Sequence, residues 1–438
     1  MKGVLLLDGI GPEAEPILAE AGLRVVDAAK GFKDDSSALL QFIGSSFQPG
    51  ELQAICLRSG TNLNDEVMPA LRGIGVELVV RFGTGVDNVD LKAACSNGII
   101  VENTPGQNAT SVAEKTVICA GLLCHAMNLP TAGFAAVRAI KAFAEKAAGL
   151  VSEEQKQAFA EMTDLLLKSF AVRKTDCKGS ELCGKTMGVV GCCGAIGLKV
   201  STRAMGLGMN VLGYDPRRRA LEAEGVKRVR TLQELLAQSD FVTIHVPLNA
   251  DTRELIGMEQ IMMMKKKAFL LNLARAGIVD IGAVDADLSN PDSCLGGYAS
   301  DVDDPNDQVF RHASTVVMPH IGASSKESET RCAITGTEQV VSWLKEGDII
   351  NGCNLPDSSL SGRGKNGQLT VIHHDSPGLI ERLSGYFSEH GVNIGPFHTA
   401  PQDGFACTMI GPDEPFDDKV VLDIASMEGI VRVMPLVH

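Results

Sequence analysis

The segment MGVVGCCGAIG, Met187–Gly197, constrains this chain more than any other. A short apolar run feeds a glycine-rich turn, and a helical pattern begins near Ala195. Backbone amides at such a helix start can hold a pyrophosphate, assisted by the helix dipole. Glycine is needed at Gly191, Gly194 and Gly197 because a side chain would block close approach and tight helix–strand packing. A second strand ends at Asp215, about twenty residues beyond Gly194, where a carboxylate accepts hydrogen bonds from ribose hydroxyls. That acid repels a 2′-phosphate, so NAD is expected over NADP. The spacing is GxxGxxG instead of GxGxxG, one residue longer, with Cys192 and Cys193 inside the loop. Those vicinal thiols read as small loop fillers, with redox sensitivity as the alternative. Arg217–Arg219 follow Asp215 and read as a solvated basic turn, with some tolerance of NADP as the alternative.

The rest of the chain extends this α/β pattern. Short apolar runs at Val4–Gly9, Ala54–Arg58, Leu78–Phe82 and Ile99–Val101 fit strands buried on both faces. Further strands are expected at Met187–Val190, Asn210–Tyr214, Phe241–His245 and Ala268–Leu273, with a strand end at Met318–His320. Ser111 to Leu129 is helical in pattern, and Thr131–Lys174 reads as amphipathic helix used for packing or subunit contact. Cys332–Lys345 is helical, and Gly347–Gly367 is rich in Gly, Ser, Asn and Pro, as linkers are. Beyond it, strands at Gln368–His374, Val392–Phe397, Phe405–Ile410 and Ile430–Val437 alternate with helices at Gly378–His390 and Asp417–Met427. That order, βαββαβ, is the ferredoxin-like pattern.

Composition narrows the partners. A chain of 438 residues suggests two to four domains. Aromatics are 4% of residues, so base stacking is not a theme, and a net charge of −14 argues against nucleic acid or anionic membranes. An anionic small substrate then requires locally concentrated arginines. The 12 cysteines are scattered, several in apolar runs, without paired zinc-like spacing. They read as reduced thiols of a cytoplasmic protein, with no metal site expected. Met1–Leu7 runs straight into a strand-like segment with no leader pattern, although an organelle remains open if a transit peptide has been removed.

Oxidising an alcohol with NAD needs a base for the hydroxyl proton while hydride leaves carbon. A 2-hydroxy acid also needs a cation for its carboxylate. Histidine suits the first role and arginine, with its bidentate fork, the second. His320, in MPHIGAS, and Arg275, in NLARAG, both follow expected strands. Asp301, Asp303 and Asp304 lie between them, and an acid there would orient the imidazole. A hydrogen-bonded structural histidine is the competing reading of His320. His125 falls mid-helix, and His245 ends a strand just before Pro247.

The chain resembles the D-3-phosphoglycerate dehydrogenases, within the D-isomer-specific 2-hydroxyacid dehydrogenases. The motifs are RSGTNL (Arg58–Leu63), RFGTGVDNVD (Arg81–Asp90), NTPGQNATSVAE (Asn103–Glu114), GYDP (Gly213–Pro216), HVPLNADT (His245–Thr252), NLARAGIVD (Asn272–Asp280) and MPHIGAS (Met318–Ser324). The resemblance implies a Rossmann-type NAD domain at 113–321 and a flavodoxin-like, discontinuous substrate domain at 1–112 and 322–350. A linker at 351–367 and a ferredoxin-like ACT domain at 368–438 complete the expected order. It makes Arg275 and His320 catalytic, and places Asp304 where the family's Glu precedes a proline. It assigns Thr84, Ala195, Ile196, Pro247, Leu273, Ala274, Asp301, Gly322 and Ala323 to the cofactor, beside the three loop glycines and Asp215. It assigns Arg58, Ser59, Arg81 and Asn108 to the substrate. IHHDSPGLI and GVNI resemble ACT modules, so His373, Asp375 and Asn393 are expected to meet an amino-acid effector. Asp375 stands where serine-inhibited relatives have Asn.

The activity implied is NAD-dependent oxidation of 3-phospho-D-glycerate to 3-phosphohydroxypyruvate, the first step of phosphorylated serine synthesis, by a homodimer or homotetramer. Two alternatives stay open: a hydroxypyruvate or glyoxylate reductase, and a catalytically weak NAD-binding sensor.

Overall fold

The computed structural model describes residues 2–10, 12–125, 157, 161, 178–217, 224–301, 309, 312–361 and 366–436. Most of Thr131–Lys174, together with Arg218, Arg219, Asp303 and Asp304, lies outside the described residues. The chain divides into two compact units, one made of Met1–Asn108 with Ser325–His438 and the other of Ala109–Ser324.

The first unit begins with strands β1 (Gly3–Leu6), β2 (Arg24–Asp27), β3 (Leu52–Leu57), β4 (Leu78–Arg81) and β5 (Ile100–Asn103). Helices α1 (Ala14–Glu20), α2 (Ser36–Ser46), α3 (Met68–Ile74) and α4 (Leu91–Ser96) connect them. The sheet is parallel in the order β2-β1-β3-β4-β5, the flavodoxin order. The runs VLL and AICL are buried throughout because both faces carry cover. Asp35 and Asp90 start α2 and α4 by accepting Ala38 N–H and Ala93 N–H.

The second unit opens with α5 (Ala109–Cys124). Then come β6 (Thr186–Val190), α6 (Ala195–Gly206), β7 (Asn210–Tyr214), β8 (Lys227–Arg228), α7 (Leu232–Gln238), β9 (Phe241–Ile244), α8 (Met258–Met263), β10 (Ala268–Asn272), α9 (Ile281–Leu288), β11 (Leu295–Ser300) and β12 (Thr315–Val317). The seven strands run parallel in the order β12-β11-β10-β9-β6-β7-β8, a doubly wound Rossmann sheet. Periodicity alone gives no sign of β11, LGGYAS. Its glycines permit close neighbours: a Cβ on Gly296 would lie 2.4 Å from Lys267 O, and one on Gly297 2.4 Å from Ser314 O.

The chain returns to the first unit through α10 (Lys326–Glu346). Ser325 caps its start, and Gly347, at φ +73°, ends it. The polar stretch that follows is bonded to the five-stranded sheet: Cys353 N–H donates to Val101 O at 2.7 Å, and Gly352 bridges Glu102. The last elements are β13 (Gln368–His374), α11 (Leu379–Glu389), β14 (Ile394–Gln402), β15 (Phe405–Pro412), α12 (Asp418–Ala425) and β16 (Ile430–Leu436). They form an antiparallel sheet in the order β14-β15-β13-β16, the ferredoxin-like arrangement. Strand alternation divides its side chains. Leu369 and Val371 pack with Leu383, Phe387 and Ile424 of the helices. Ile372, Cys407, Met409 and Met434 join a core shared with Val340 and Trp343 of α10 and with Val80 of β4. Among the described residues no helix is long and apolar enough to cross a membrane.

Candidate active site

In an open parallel sheet, ligands gather beyond the carboxyl ends of the strands. In the second unit the expected cofactor and catalytic residues emerge there. Gly191 follows β6, Asp215 follows β7, and Pro247 stands shortly after β9. Leu273, Ala274 and Arg275 follow β10, Asp301 follows β11, and His320 comes shortly after β12.

The glycines of the loop have different duties. Gly191 has φ +85°, and a Cβ there would lie 2.5 Å from His245 O. A Cβ on Gly197 would lie 2.3 Å from Gly191 O. Both are fixed by the protein's own packing. Gly194 differs, since its added Cβ meets nothing nearer than Gly191 O at 3.4 Å. It is the N-cap of α6 and contributes no side-chain cap, which leaves the first-turn amides of Ala195 and Ile196 open to an anion. This cradle fits a dinucleotide pyrophosphate. Cys192 is turned inward: a Cβ on Gly213 would lie 2.7 Å from its Sγ. Burial, chiefly, pushes the Cys192 thiol up to about 12, and Cys193 Sγ lies 3.9 Å away. That is the behaviour of an apolar filler.

Asp215 closes a turn by accepting Arg217 N–H at 3.0 Å, and Arg228 donates to its carbonyl at 2.8 Å. His245 is engaged by the strand that precedes it. Its Nε2 meets Thr243 Oγ1 at 2.9 Å, and burial pushes its imidazole down to about 3. Pro247 O accepts Thr252 Oγ1–H at 2.6 Å, which closes the loop after β9.

Buried polar side chains set the turns that carry Arg275 and His320. Asn272, 1% exposed, donates to Arg275 O at 3.0 Å and accepts Ala274 N–H at 3.1 Å, so it fixes the turn that carries Arg275. Arg275 itself donates to Ala274 O at 2.8 Å. Asp301, 4% exposed, accepts Ile321 N–H at 2.8 Å and also Gly322 N–H. Burial raises its carboxyl, while those two amides, His320 and Lys115 act in the opposite sense. A Cβ on Gly322 would lie 2.2 Å from Asp301 Oδ2, so this grip requires glycine. His320 is exposed and sits at φ +51°, a left-handed conformation uncommon for residues other than glycine. Ala323 follows in the same turn and packs partly buried against the core around Cys119.

The first unit carries the expected substrate residues at the carboxyl edge of its own sheet. Arg58 and Ser59 follow β3, and Arg81 ends β4. Asp8 organises the Arg58 loop by accepting Arg58 N–H at 2.8 Å, Gly60 N–H at 3.1 Å and Thr61 Oγ1–H at 2.6 Å. Asn88 donates to Arg58 O and Thr61 O. The Arg58 guanidinium pairs with Glu329 Oε2 at 3.2 Å. Arg81 Nη1 lies over Gly83, where a Cβ would come within 1.6 Å of it. Thr84 Oγ1 donates to Asn108 Oδ1 at 2.9 Å. Asp8, Asn88, Lys115, Asn272 and Glu329 were not singled out from the sequence. A polar residue just beyond a strand was the available signal for Asp8 and none existed for Glu329.

The expected effector residues are engaged separately. His373 is buried, with Nδ1 at 2.8 Å from His374 O and Nε2 at 2.8 Å from Thr408 Oγ1. Burial lowers its pKa. Asn393 donates to Asp413 Oδ2 at 2.5 Å, and Asp375 is exposed with its amide on Gly404 O.

Residues 153–322 match the model of the D-isomer specific 2-hydroxyacid dehydrogenase NAD-binding domain. The D-3-phosphoglycerate dehydrogenase of Methanocaldococcus jannaschii is 33% identical over 370 residues, 82% of this chain and 61% of that protein. This chain thus spans about three fifths of that relative's length. The enzyme of the same name from Escherichia coli K12 is 29% identical over 442 residues, 98% of this chain and 96% of that protein. The NAD+-bound 3-phosphoglycerate dehydrogenase structure from Entamoeba histolytica superposes with a TM-score of 0.59 at 24% identity. It covers 80% of this chain and 98% of that one, a likeness of fold.

Proposed function

We propose that this chain, a member of the D-isomer-specific 2-hydroxyacid dehydrogenase family, oxidises 3-phospho-D-glycerate to 3-phosphohydroxypyruvate with NAD. The observation that carries the reading is the shared strand edge of the second unit, where the pyrophosphate cradle, Asp215, Arg275 and the His320 turn all emerge. His320 takes the hydroxyl proton, and Arg275 holds the carboxylate through its fork. Bound NAD supplies the hydride acceptor. Thr84, Gly191, Gly194, Ala195, Ile196, Gly197, Asp215, Pro247, Leu273, Ala274, Asp301, Gly322 and Ala323 are assigned to it. Asp304 is assigned as the acid that partners His320.

Arg58, Ser59, Arg81 and Asn108 are assigned to the substrate, whose phosphate brings extra negative charge to an acidic protein. The C-terminal βαββαβ module is read as an ACT-type regulatory domain, with His373, Asp375 and Asn393 meeting an amino-acid effector. The chain is read as a cytoplasmic homo-oligomer. Turnover of 3-phosphoglycerate with NAD is the test. Reduction of glyoxylate or hydroxypyruvate with no turnover of the phosphorylated acid overturns the substrate assignment.

A further inference from the structure

His320 is carried on a backbone that needs outside support. A non-glycine residue in the left-handed region is strained, and such strain persists only where the surroundings over-determine it. The support comes from two directions. From β11, the Asp301 carboxylate takes the amides of Ile321 and Gly322. From α5, Ser111 and Lys115, four residues apart and so on one helix face, take the carbonyls. Ser111 Oγ–H donates to Gly322 O at 2.8 Å. Lys115 Nζ donates to Ile321 O and, at 2.8 Å, to Ser324 O. The turn is thus clamped on both its donors and its acceptors.

Lys115 has the largest share of the acceptor side. It bridges the first and last residues of the Ile321–Ser324 turn, which closes on itself through Ser324 N–H to Ile321 O at 2.9 Å. An ammonium donating to two carbonyls makes charge-assisted bonds, roughly twice as strong as neutral ones. We propose that Lys115 is a positioning residue for the dehydrogenase reaction, holding the turn that aims His320 at the substrate hydroxyl. The inference rests on the reading of His320 as the base. Lys115 touches neither substrate nor cofactor in this scheme and acts through the backbone of Ile321 and Ser324.

The test uses the full chain with K115M, K115R and H320N variants, assayed for turnover and NAD binding. Misplacing a reacting group by about an ångström can cost on the order of a hundredfold. K115M is therefore expected to lose at least tenfold in kcat and a clearly smaller factor, about threefold at most, in NAD affinity, because Gly322 and Ala323 share the loosened turn. K115R, whose guanidinium can also span two carbonyls, is expected to recover kcat to within about threefold. An unchanged kcat in K115M overturns the proposal. So does a loss that K115R fails to recover, or one matched by an equal loss of NAD affinity, because either outcome reports a general packing role. H320N separates the two levels. If it keeps turnover, the base assignment itself fails. If it is inactive while K115M matches the parent, only the positioning role fails.

Discussion

Both units clamp the backbone around candidate residues, Asp8 and Asn88 at Arg58 as Asn272 at Arg275, but they differ in what the candidate side chains meet. Around the second unit's strand edge, side chains grip the backbone: buried Asn272 fixes the Arg275 turn, and buried Asp301 and Ser111, with the half-buried Lys115, fix the His320 turn. The residue His320 itself is exposed. In the first unit the candidate side chains are themselves bonded. Arg58 pairs with Glu329, His373 with Thr408 and His374 O, and Asn393 with Asp413. A catalytic group must be preorganised, whereas a binding group can exchange an internal partner for a ligand. Removing a group should therefore cost most in the second unit, and removing a counter-group in the first should change binding modestly.

The largest expected effect is H320N. Asparagine tolerates the left-handed backbone but cannot serve as the base at neutral pH. Turnover is expected to fall on the order of 10²–10⁴-fold, the usual worth of a general base, with NAD affinity retained. Steady-state kinetics beside cofactor fluorescence measures both. A fall in NAD affinity equal to the fall in turnover would place His320 among the packing residues and erase the contrast between the units.

The first unit is stitched to its C-terminal sheet by Arg432 of β16. Its guanidinium donates to Val76 O at 2.5 Å and to Gly98 O and Gly75 O at 3.3 Å. It also lies near the half-buried Glu77, whose carboxyl is raised by burial and pulled back by Arg432. R432M leaves that carboxyl and three carbonyls without the cation. A loss of about 2–4 kcal/mol of unfolding free energy is expected, read by denaturant titration. Turnover of the folded fraction should change little. A loss confined to turnover would instead make this contact part of the catalytic machinery.

The contrast between the units also explains what was legible in the sequence. The strands VLL, AICL and FVTI, the glycine loop and Asp215 follow from local chemistry, and the βαββαβ order of the last segment follows from periodicity. Arg275 and His320 stand out because a charged or titratable residue just past an apolar strand has a functional reason to be there. The grip on their turns was hidden. Lys115 meets Ile321 and Ser324 across about two hundred positions, so no local pattern marks it. The strand β11 was hidden because its glycines answer neighbouring carbonyls instead of adding to an apolar run. Asp304 and most of Thr131–Lys174 lie outside the described residues.

Glu102 gives the first unit a pH dependence of its own. It is fully buried on β5, accepts Ile350 N–H at 2.9 Å through Oε1, and has no hydrogen-bond partner at Oε2. Burial raises its carboxyl well above the ordinary value of 4.5, and Asp357 adds to the rise. The folded state therefore binds the proton more tightly than the unfolded chain. The associated stability is full below the unfolded value and is lost as pH rises from about 4.5 through the folded value. E102Q keeps the shape without the charge. It is expected to flatten that dependence and to raise stability at neutral pH by about 1–3 kcal/mol. Denaturation midpoints from pH 5 to 8 measure it, and parallel curves for parent and variant would mean Glu102 is not the titrating group.

The smallest expected effect tests the partner-exchange idea at Arg58. Its side chain is 25% exposed and that of Glu329 is 44% exposed, so solvent screens the pair. Such half-open ion pairs are worth about 0.2–1 kcal/mol. If an anionic substrate must displace Glu329 to reach Arg58, that energy opposes binding. E329Q should then lower KM for 3-phosphoglycerate by about 1.4- to 5-fold, leave kcat unchanged, and leave KM for a non-phosphorylated hydroxy acid where it was. The gain should shrink with added salt, because screening already weakens the pair. A rise in KM would show instead that Glu329 holds Arg58 in its binding pose. Glu329 would then join Asp8 as a clamp of the Arg58 loop, and the idea of exchangeable partners would not extend to the arginines.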